Sequence, residues 1–403
     1  MSGTGVHADG PLVFLIAGEA SGDAIGARLM AALRRSSGGA VRFAGIGGER
    51  MAREGLDSLF PMSDLTLFGL VEVVSSIPRM LRRIGETVAA IRRLRPDAVV
   101  SIDIPGFAFR VMQRLEPGET LRIHYVAPSV WAYRPGRARK IAAFLDHLLA
   151  LLPFEPPYFE AVGLPCTYVG HTAMEEAVED GDGRAFRARH QIPPDAPLLA
   201  LLPGSRPGEV RRLIPVFHNA VALVLKRHPT LRVVLPTVAA IGDEVIRHAR
   251  RFPAPAVVVL GQREKFDAFA ASDAALAASG TVSLELARAG VPMVVAYRMH
   301  PISAAWLRLL IRIRYVTLLN LVAGREVVPE LLQGRCRPQA LAHAVLDLLE
   351  PGEARTVQAE GVREALSLLD QGGRAPSARA AQVVLGLIDR ESGTAPRASA
   401  RVA

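Results

Sequence analysis

The sequence predicts an α/β protein with two doubly wound domains that face each other across a cleft. Short apolar segments that end in Gly or Pro turns alternate with segments of helical spacing, which is typical of a parallel sheet covered by helices on both faces. This pattern runs along the chain twice, and the stretch 175–197, rich in charge, Gly and Pro, separates the two series. A chain of 403 residues is long enough for two such domains.

The first predicted domain covers residues 11–185 and follows a flexible segment, residues 1–10. Its opening strand lies at 11–18, and a Gly/Ser-rich turn leads from it into a helix from about Asp23 to Arg35. Three further strands are predicted at 40–48, 96–106 and 121–133. These strands are largely apolar, as expected where both faces of a sheet are buried.

The second predicted domain covers residues 186–370, with the boundary placed near residue 185. Its strands are predicted at 197–205, 231–237, 254–262, 273–281 and 291–299. A helix at 371–390 is expected to pack on the first domain or on a partner subunit, and the polar tail 391–403 is expected to be disordered. Ligands of doubly wound sheets bind beyond the carboxyl ends of the strands, so polar residues at those ends are the candidates for chemistry.

The charge balance restricts the class of partner. A formal net charge of +9 and a pI near 10.2 suit acidic partners such as nucleotide phosphates, nucleic acid or anionic lipid. A nucleic-acid surface interleaves aromatic with basic residues, but aromatic residues make up only 5% here and the arginines are scattered. We therefore do not expect a nucleic-acid partner.

Several other classes are disfavoured by missing patterns. Cys166 and Cys336 lie far apart and lack the spacing of metal ligands or of a disulfide framework. GxSxG and HExxH are absent, which argues against serine-hydrolase and zinc-protease chemistry. The amino terminus lacks the pattern of a signal peptide, and no run of 18 uncharged apolar residues occurs. We expect a cytoplasmic protein without a metal.

Two acidic residues follow strands of the first domain. Glu19 ends the first strand, and Asp103 ends the third, which is otherwise apolar. A partly desolvated carboxylate at a strand end has a tunable pKa and can accept a proton from an attacking hydroxyl. The alternative is structural: Asp103 bonds to the turn that follows it, Ser21 or Asp23 caps the helix, and Glu19 is a solvated loop acid.

Polar and aromatic residues gather in the loop after the fourth strand. They are His124, Ser129, Trp131, Tyr133 and Arg134. Such a loop can form the wall of a ligand cleft, or it can be ordinary packing with a basic exit. The residues alone leave both interpretations open.

Small residues fill two strand-to-helix turns of the second domain. They are Gly204, Ser205 and Arg206 in one turn and Ser279, Gly280 and Thr281 in the other. Backbone N–H groups at a helix start and an arginine fork suit a diphosphate. Glu285, one turn past Thr281, can accept hydrogen bonds from a ribose diol. Because both turns aim at one crevice, a phosphate site is favoured over simple capping by Ser and Thr.

Two long segments combine apolar residues with arginines. In 63–96, the apolar residues next to a basic helix are Leu67, Phe68, Leu70 and Val71. This composition suits an interfacial helix on an anionic membrane or an acyl-chain groove, or alternatively an amphipathic helix packed on the sheet. In 300–332, the arginines argue against a membrane span. Asn320 lies there in a polar island that suits a substrate or subunit contact.

These motifs together resemble the lipid-A-disaccharide synthase family. The matching stretches, in order, are AGEASGD, GLVEVV, IHYVAPSVWAYR, LLPFE, VGHT, LLPGSR, ASGTVSLE, YRM and NLVAGREVVPELLQ. They extend over about residues 12–390, nearly the whole chain. The resemblance implies an inverting glycosyltransferase with two Rossmann-like domains in the B-type arrangement, which works without a metal or a cofactor.

The implied reaction joins UDP-2,3-bis(acyl)glucosamine to 2,3-bis(acyl)glucosamine 1-phosphate and gives a β-1,6-linked disaccharide and UDP. The resemblance makes Asp103 and Glu19 the acids at the reaction centre, with Asp103 as general base on the acceptor 6-hydroxyl. Arg206, with Gly204 and Ser205, is implied to hold the diphosphate and stabilise the leaving group. The remaining donor-site residues are implied to be Ser279, Gly280, Thr281, Glu285 and Asn320.

The resemblance has further implications and one departure. Segment 63–84 is implied to bind acyl chains and the cytoplasmic face of the inner membrane, and C-terminal elements can be exchanged between two subunits of a homodimer. Relatives often carry a second Asp shortly after the position of Asp103, where this chain has Gly106. Either this protein does without an assisting acid, or that role is not general in the family. The nearest rival enzymes are a UDP-N-acetylglucosamine 2-epimerase and a transferase acting on a polyprenyl-linked sugar.

Overall fold

Two compact units make up the chain. The computed structural model describes residues 10–65, 70–132, 136–176, 178–299, 313–370 and 372–393, without the side chains of 70–77 and 392. The first unit runs to Thr172 and takes up the chain again at Gly372, while the second begins at Ala173. Each unit contains a six-stranded parallel sheet, which confirms the prediction of two doubly wound α/β domains.

The sheet of the first unit has the strand order β2-β1-β3-β4-β5-β6. Its strands are β1 (Leu12–Ala17), β2 (Arg42–Ile46), β3 (Ala98–Ile102), β4 (Leu121–Tyr125), β5 (His147–Ala150) and β6 (Cys166–Tyr168). Apolar side chains leave β1 on both faces: Val13 and Leu15 enter one buried layer, Phe14 and Ile16 the other. The continuous apolar run of this strand therefore reflects helices on both sides of the sheet.

Helices connect these strands and cover the sheet. They are α1 (Ala20–Ser36), α2 (Glu49–Arg53), α3 (Leu70–Leu94), α4 (Pro105–Met112), α5 (Arg137–Ala142) and α6 (Pro156–Glu160). Helix α1 buries Leu29, Met30 and Leu33 against the sheet. Helix α4 begins with Pro105 at its first position, where a missing N–H costs nothing.

The sheet of the second unit has the order β12-β11-β10-β7-β8-β9. Its strands are β7 (Leu198–Leu202), β8 (Arg232–Pro236), β9 (Ala256–Val259), β10 (Ala274–Ala278), β11 (Met293–Tyr297) and β12 (Glu330–Leu332). The helices of this unit are α7 (Gly183–Arg189), α8 (Pro207–Val224), α9 (Gly242–Ala249), α10 (Gln262–Ala271), α11 (Val282–Arg288), α12 (Leu318–Ala323), α13 (Pro338–Leu349) and α14 (Glu353–Leu369). Val210 and Phe217 of α8 and Leu341 of α13 pack on Leu199 and Leu201 of β7.

The boundary between the units lies nearer residue 172 than the predicted residue 185. The segment before β7 belongs to the second unit because it is bonded to α10 and to the start of β10. The Asp182 N–H donates to Asp267 Oδ1 at 2.8 Å, and the Arg187 guanidinium donates to Asp273 Oδ2 at 2.9 Å. The charged and glycine-rich composition of 175–197 predicted a connection between the two domains, but this segment is already packed on the second unit.

The last described helix, α15 (Pro376–Gly393), lies in the first unit. Ala380, Ala381 and Val384 are buried in the apolar layer that α1 also enters. The Arg379 Nε–H donates to the carbonyl oxygen of Val169 at 2.7 Å. The exchange of this region between subunits stays a prediction, and the tails 1–9 and 394–403 lie outside the described residues.

Candidate functional site

The two predicted acids and the two small-residue turns follow the four strands at which the strand order reverses. In the first sheet the order turns between β1 and β3, and in the second between β7 and β10. A doubly wound sheet binds its ligands at this switch point, because the loops leave the two adjacent strands on opposite faces and open a crevice. Glu19 and Asp103 follow β1 and β3, whereas the two small-residue turns follow β7 and β10.

A cavity of about 350 Å³ lies at the switch point of the second sheet. The predicted residues among its lining are Gly204, Ser205, Arg206, Ser279, Gly280, Thr281 and Glu285. The structure therefore brings both small-residue turns together around one space, as the sequence pattern predicted. Asn320 is not part of this lining.

The turn after β7 is built around a carboxylate. Glu209, in the first turn of α8, accepts hydrogen bonds through Oε2 from the backbone N–H of Ser205 at 3.2 Å and of Arg206 at 3.4 Å. Gly204 has a φ of +107°, and a Cβ atom at this position would overlap Glu209. Glycine is thus required twice over, by its backbone conformation and by the close approach of the acid.

The turn after β10 starts α11 with Thr281 at the N-cap. Ser283 Oγ donates to the carbonyl oxygen of Gly280 at 2.8 Å, and Ser279 Oγ donates to that of Val316 at 3.4 Å. The turn is therefore tied to the segment 313–317 as well as to its own helix. The positive dipole end of α11 faces the same cavity as the start of α8.

Three polar residues that the sequence analysis missed also line the cavity: Glu209, Lys265 and Thr237. Lys265 Nζ lies 2.8 Å from Glu285 Oε2 and packs over the ring of Phe266 at 4.9 Å. Thr237 Oγ1 is buried and has no hydrogen-bond partner among the described residues. A Glu three residues after an N-cap was a signal for Glu209. Lys265 and Thr237 belong to no motif.

The structure gives Asn320 a different role from the predicted ligand contact. Its side chain is fully buried, and its amide donates to the carbonyl oxygen of Val328 and to Glu330, both at 2.8 Å. Its Oδ1 accepts from the N–H groups of Val327 and Val328. All of its hydrogen-bonding capacity is thus used inside the protein. Glu330 in turn accepts from the N–H of Val316, the residue that Ser279 contacts, so Asn320 supports the cavity wall indirectly.

The backbone of the first unit turns sharply at Asp103. Asp103 and Ile104 have φ values of 54° and 41°, two consecutive left-handed residues without a glycine. The Asp103 N–H donates to the carbonyl oxygen of Tyr125 at 3.0 Å. Strained backbone of this kind persists where the surroundings enforce it, and it concentrates at functional sites.

Glu19 follows β1 on the other side of the switch point. It is exposed, occupies the N-cap of α1 and makes no side-chain capping bond. The alternative in which Asp23 caps α1 is wrong. Asp23 is buried and accepts hydrogen bonds from the N–H groups of Gly48 and Met51, so it holds the start of α2.

Comparison with known proteins settles the family. The family model described as lipid-A-disaccharide synthetase matches residues 13–384. A lipid-A-disaccharide synthase of Rhodospirillum centenum is 56% identical over 94% of this chain and 95% of its own length. One of Paramagnetospirillum magneticum is 50% identical over 94% and 97%. The chain belongs to the lipid-A-disaccharide synthase family. The predicted family and function, synthesis of the lipid A disaccharide by a glycosyltransferase, are confirmed.

Solved structures share the fold of this family member at low identity. A putative UDP-N-acetylglucosamine 2-epimerase from Listeria monocytogenes has a TM-score of 0.62 at 14% identity, covering 98% of this chain and 100% of that one. The calicheamicin glycosyltransferase CalG4 has a TM-score of 0.56 at 15% identity, covering 96% and 100%. Both likenesses concern the fold and carry no statement about substrate.

The family motif that begins in β4 and includes His124 is a packed structure in this member. His124 is fully buried, its Nδ1 lies 2.7 Å from Ser101 Oγ, and burial lowers its pKa to about 3. It therefore stays neutral near pH 7. The Trp131 Nε1–H donates to Glu155 Oε1 at 3.2 Å, and its ring packs on Phe154. Tyr133 and Arg134 lie outside the described residues.

Glu155, in the family motif LLPFE, is a buried carboxyl that sequence reasoning did not single out. Besides Trp131, it accepts hydrogen bonds from the N–H groups of Leu151 and Leu152. Burial raises its pKa to about 7, against the effect of these hydrogen bonds. It joins the loop after β4 to the loop after β5.

The predicted acyl-chain residues are not described in full. Leu67 and Phe68 lie outside the described residues, as do the side chains of Leu70 and Val71. None of the helices in the described part of the chain has the length and apolar character that crossing a bilayer requires.

Proposed function

We propose that the cavity of the second unit binds the UDP part of UDP-2,3-bis(acyl)glucosamine. The observation that carries this proposal is the convergence of two helix starts, α8 and α11, on one cavity that also holds Arg206. The backbone N–H groups and the guanidinium bind the diphosphate, and Glu285 accepts hydrogen bonds from the ribose diol. Positive charge at this place stabilises UDP as it leaves.

Asp103 is the general base of the proposed reaction. Its carboxylate takes the proton from the 6-hydroxyl of 2,3-bis(acyl)glucosamine 1-phosphate as that oxygen attacks C1 of the donor sugar. The new C1–O bond forms while the bond from C1 to the diphosphate oxygen breaks, and UDP leaves with the electron pair. A single in-line displacement inverts C1 and gives the β-1,6 linkage.

Glu19 is the second acid of this proposed centre. Its position after β1, next to β3 in the sheet, supports a place near Asp103. Its exposure and its lack of a capping bond leave the carboxylate available to a polar group of the acceptor. We assign it to acceptor binding rather than to proton transfer.

An assay tests the proposed reaction directly. Purified protein with both acylated substrates and excess EDTA is expected to release one UDP for each tetra-acylated disaccharide phosphate formed. Mass spectrometry detects the disaccharide product. Failure to form the disaccharide, or equal turnover of non-acylated UDP-N-acetylglucosamine, contradicts the proposal. Arg206→Ala is expected to weaken UDP binding, whereas Arg250→Ala, an exposed arginine that does not line the cavity, serves as its control.

We also propose that α3 associates with the surface of the inner membrane, where acylated substrates reside. Leu81 is 53% exposed and neighbours Arg82, whose side chain is 64% exposed. An exposed apolar residue beside cationic ones suits an anionic interface. Leu81→Asp is expected to reduce co-sedimentation with phosphatidylglycerol vesicles, while Leu94→Asp, at the far end of α3, serves as the control. Equal loss in both variants contradicts a role for Leu81.

A homodimer with exchanged C-terminal elements is a further proposal. Helix α15 returns to the first unit after the whole second unit, and such a terminal element can be exchanged between copies at little cost. Light scattering during size-exclusion chromatography measures the mass. A monomeric mass at micromolar concentration contradicts this proposal.

A further inference from the structure

The diphosphate donors at the start of α8 already hold an anion of the protein itself. Glu209 Oε2 accepts from the N–H groups of Ser205 and Arg206, and Glu209 Oε1 lies 3.7 Å from Arg206 Nη1. These are the groups that the proposed function assigns to the diphosphate. A ligand phosphate and the Glu209 carboxylate therefore compete for the same donors.

The positions of the two side chains agree with an acid that occupies a ligand site. The Glu209 side chain is only 13% exposed and lines the cavity, whereas the Arg206 side chain is 78% exposed. The hydrogen bonds that Glu209 accepts, 3.2 and 3.4 Å long, are longer than the usual 2.9 Å between an N–H nitrogen and an oxygen. Phosphate oxygens, like carboxylate oxygens, accept charge-assisted bonds from such donors, and these bonds are usually shorter than those of Glu209. A diphosphate can therefore replace the Glu209 carboxylate as the acceptor of these bonds.

An ordinary capping box explains only part of this arrangement. In a capping box the acid three residues into the helix accepts from the N-cap N–H, here that of Arg206. The additional bond from Ser205, the proximity to the Arg206 guanidinium and the position in the cavity wall go beyond it. We propose that Glu209 is an intramolecular competitor of the nucleoside diphosphate, displaced when the donor binds and returning when UDP leaves.

This inference rests on the proposed function, in which the cavity binds UDP. A competitor that occupies the donors most of the time reduces the apparent affinity by the fraction of molecules that are free to bind. Weak binding of the product favours turnover, because UDP has to leave before the next donor enters. Removing the negative charge of Glu209 therefore tightens UDP binding and slows its release.

Glu209→Gln tests the inference, since the amide oxygen keeps one acceptor while the charge is lost. Calorimetric titration with UDP, uridine and inorganic pyrophosphate is expected to show about 10-fold tighter UDP binding than in the wild type. Pyrophosphate binding is expected to tighten likewise, and uridine binding to change little because uridine has no phosphate. The inhibition constant for product UDP in the transferase assay is expected to fall in parallel.

Glu244→Gln is the matched control. Glu244 is paired with Arg211 at 3.0 Å, is 17% exposed, and does not line the cavity. The substitution Glu244→Gln removes one negative charge near α8, as Glu209→Gln does. An equal gain in UDP affinity in both variants therefore overturns the inference, because long-range electrostatics then explains the gain.

Unchanged or weaker UDP binding by Glu209→Gln overturns the inference and leaves Glu209 as a structural cap. Wild-type protein that binds no UDP instead contradicts the proposed function, which separates the two failures. If Glu209→Gln does not fold, as judged by circular dichroism, Glu209→Asp replaces it. Its shorter side chain withdraws the carboxylate from Ser205 N–H and is expected to tighten UDP binding as well, and a failure to do so counts against the inference.

Discussion

The Ile104 side chain fills the space that a Cβ atom on Gly18 would need. An added Cβ would lie 2.5 Å from Ile104 Cδ1 and 3.0 Å from Ile104 Cγ2. The contact joins the two loops of the first unit that carry the proposed acids, because Glu19 follows Gly18 and Asp103 precedes Ile104. The left-handed backbone at Asp103 and Ile104 brings the isoleucine into this position.

Gly18→Ala tests whether this contact positions the acids. The new methyl group has to push the Ile104 side chain away, and we expect the adjoining turn and the Asp103 carboxylate to shift with it. We expect kcat to fall by about 10-fold or more, since misplacement of a reacting group by an ångström can cost 100-fold. UDP affinity is expected to stay at the wild-type value, because the UDP cavity belongs to the other unit.

Gly85→Ala is the control for Gly18→Ala. A Cβ at Gly85 of α3 meets nothing within 4 Å, and alanine is the better helix former. Steady-state kinetics and UDP titration of both variants give the comparison. A wild-type kcat in Gly18→Ala contradicts the positioning argument.

Asp103→Asn isolates the proton transfer from the backbone geometry. Asparagine tolerates the left-handed region well, so the turn at a φ of 54° is kept. We expect kcat to fall by about 100-fold or more, as for loss of a general base, with UDP binding retained. A kcat close to that of the wild type removes Asp103 from this role.

The ion pair of Lys265 and Glu285 predicts a change in ribose recognition. Lys265 Nζ, 2.8 Å from Glu285 Oε2, fixes the carboxylate that is proposed to accept from the ribose diol. Lys265→Met removes this support, and we expect the preference for UDP over 2′-deoxy-UDP to drop by roughly 5-fold or more, the range of a hydrogen bond to a charged group. Calorimetry with both nucleotides measures the preference.

Lys226→Met is the control for Lys265→Met, because Lys226 does not line the cavity. If Lys265→Met weakens the binding of UDP and of 2′-deoxy-UDP by the same factor, Lys265 contributes charge alone. That outcome contradicts the positioning role.

The fold was predictable where strands are long and apolar. All nine strands predicted from the sequence occur, but β5, β6 and β12 were not predicted. They have four, three and three residues, so none of them is longer than β9, the shortest strand that was predicted. The strand order, which places β10 beside β7 and β3 beside β1, is a property of packing that spacing along the chain does not contain.

The candidate site was predictable where its residues lie together in one local turn. Strand-to-helix turns with small residues mark Ser205 and Ser279 because the chemistry of such turns is local. The contact of Lys265 with Glu285 joins α10 to α11 across β10, and no local pattern records it. Asn320 shows the opposite case. The motif predicted a ligand contact for this residue, whereas its burial and its hydrogen bonds to Val327, Val328 and Glu330 show that it supports the segment that contains them.

Asn320→Ala is expected to destabilise the protein rather than to abolish a ligand contact. The substitution leaves the N–H groups of Val327 and Val328 and one carbonyl without partners in a fully buried site. Unsatisfied buried groups cost about 1–3 kcal/mol each, so the melting temperature is expected to fall by several degrees. Scanning calorimetry measures it. An unchanged melting temperature with lost UDP binding supports the original ligand-contact prediction instead.

Glu155 predicts a pH dependence of stability. Its pKa is raised from 4.5 to about 7, so between these pH values the folded protein keeps a proton that the unfolded chain has released. The stabilisation is complete below about pH 4.5 and is lost as pH rises through about 7, at about 1.4 kcal/mol per pH unit. Glu155→Gln has no such proton.

The comparison with Glu155→Gln cancels the contributions of the other titrating groups to the pH dependence of stability. These groups include His124 and His171, whose lowered pKa values make stability rise with pH. From pH 5 to 7, the melting temperature of the wild type is expected to fall relative to that of the variant by roughly 3–5 °C per pH unit. Differential scanning fluorimetry across this range measures both. Parallel curves contradict the raised pKa and leave Glu155 ionised in the folded protein, held by Trp131 and the two backbone N–H groups.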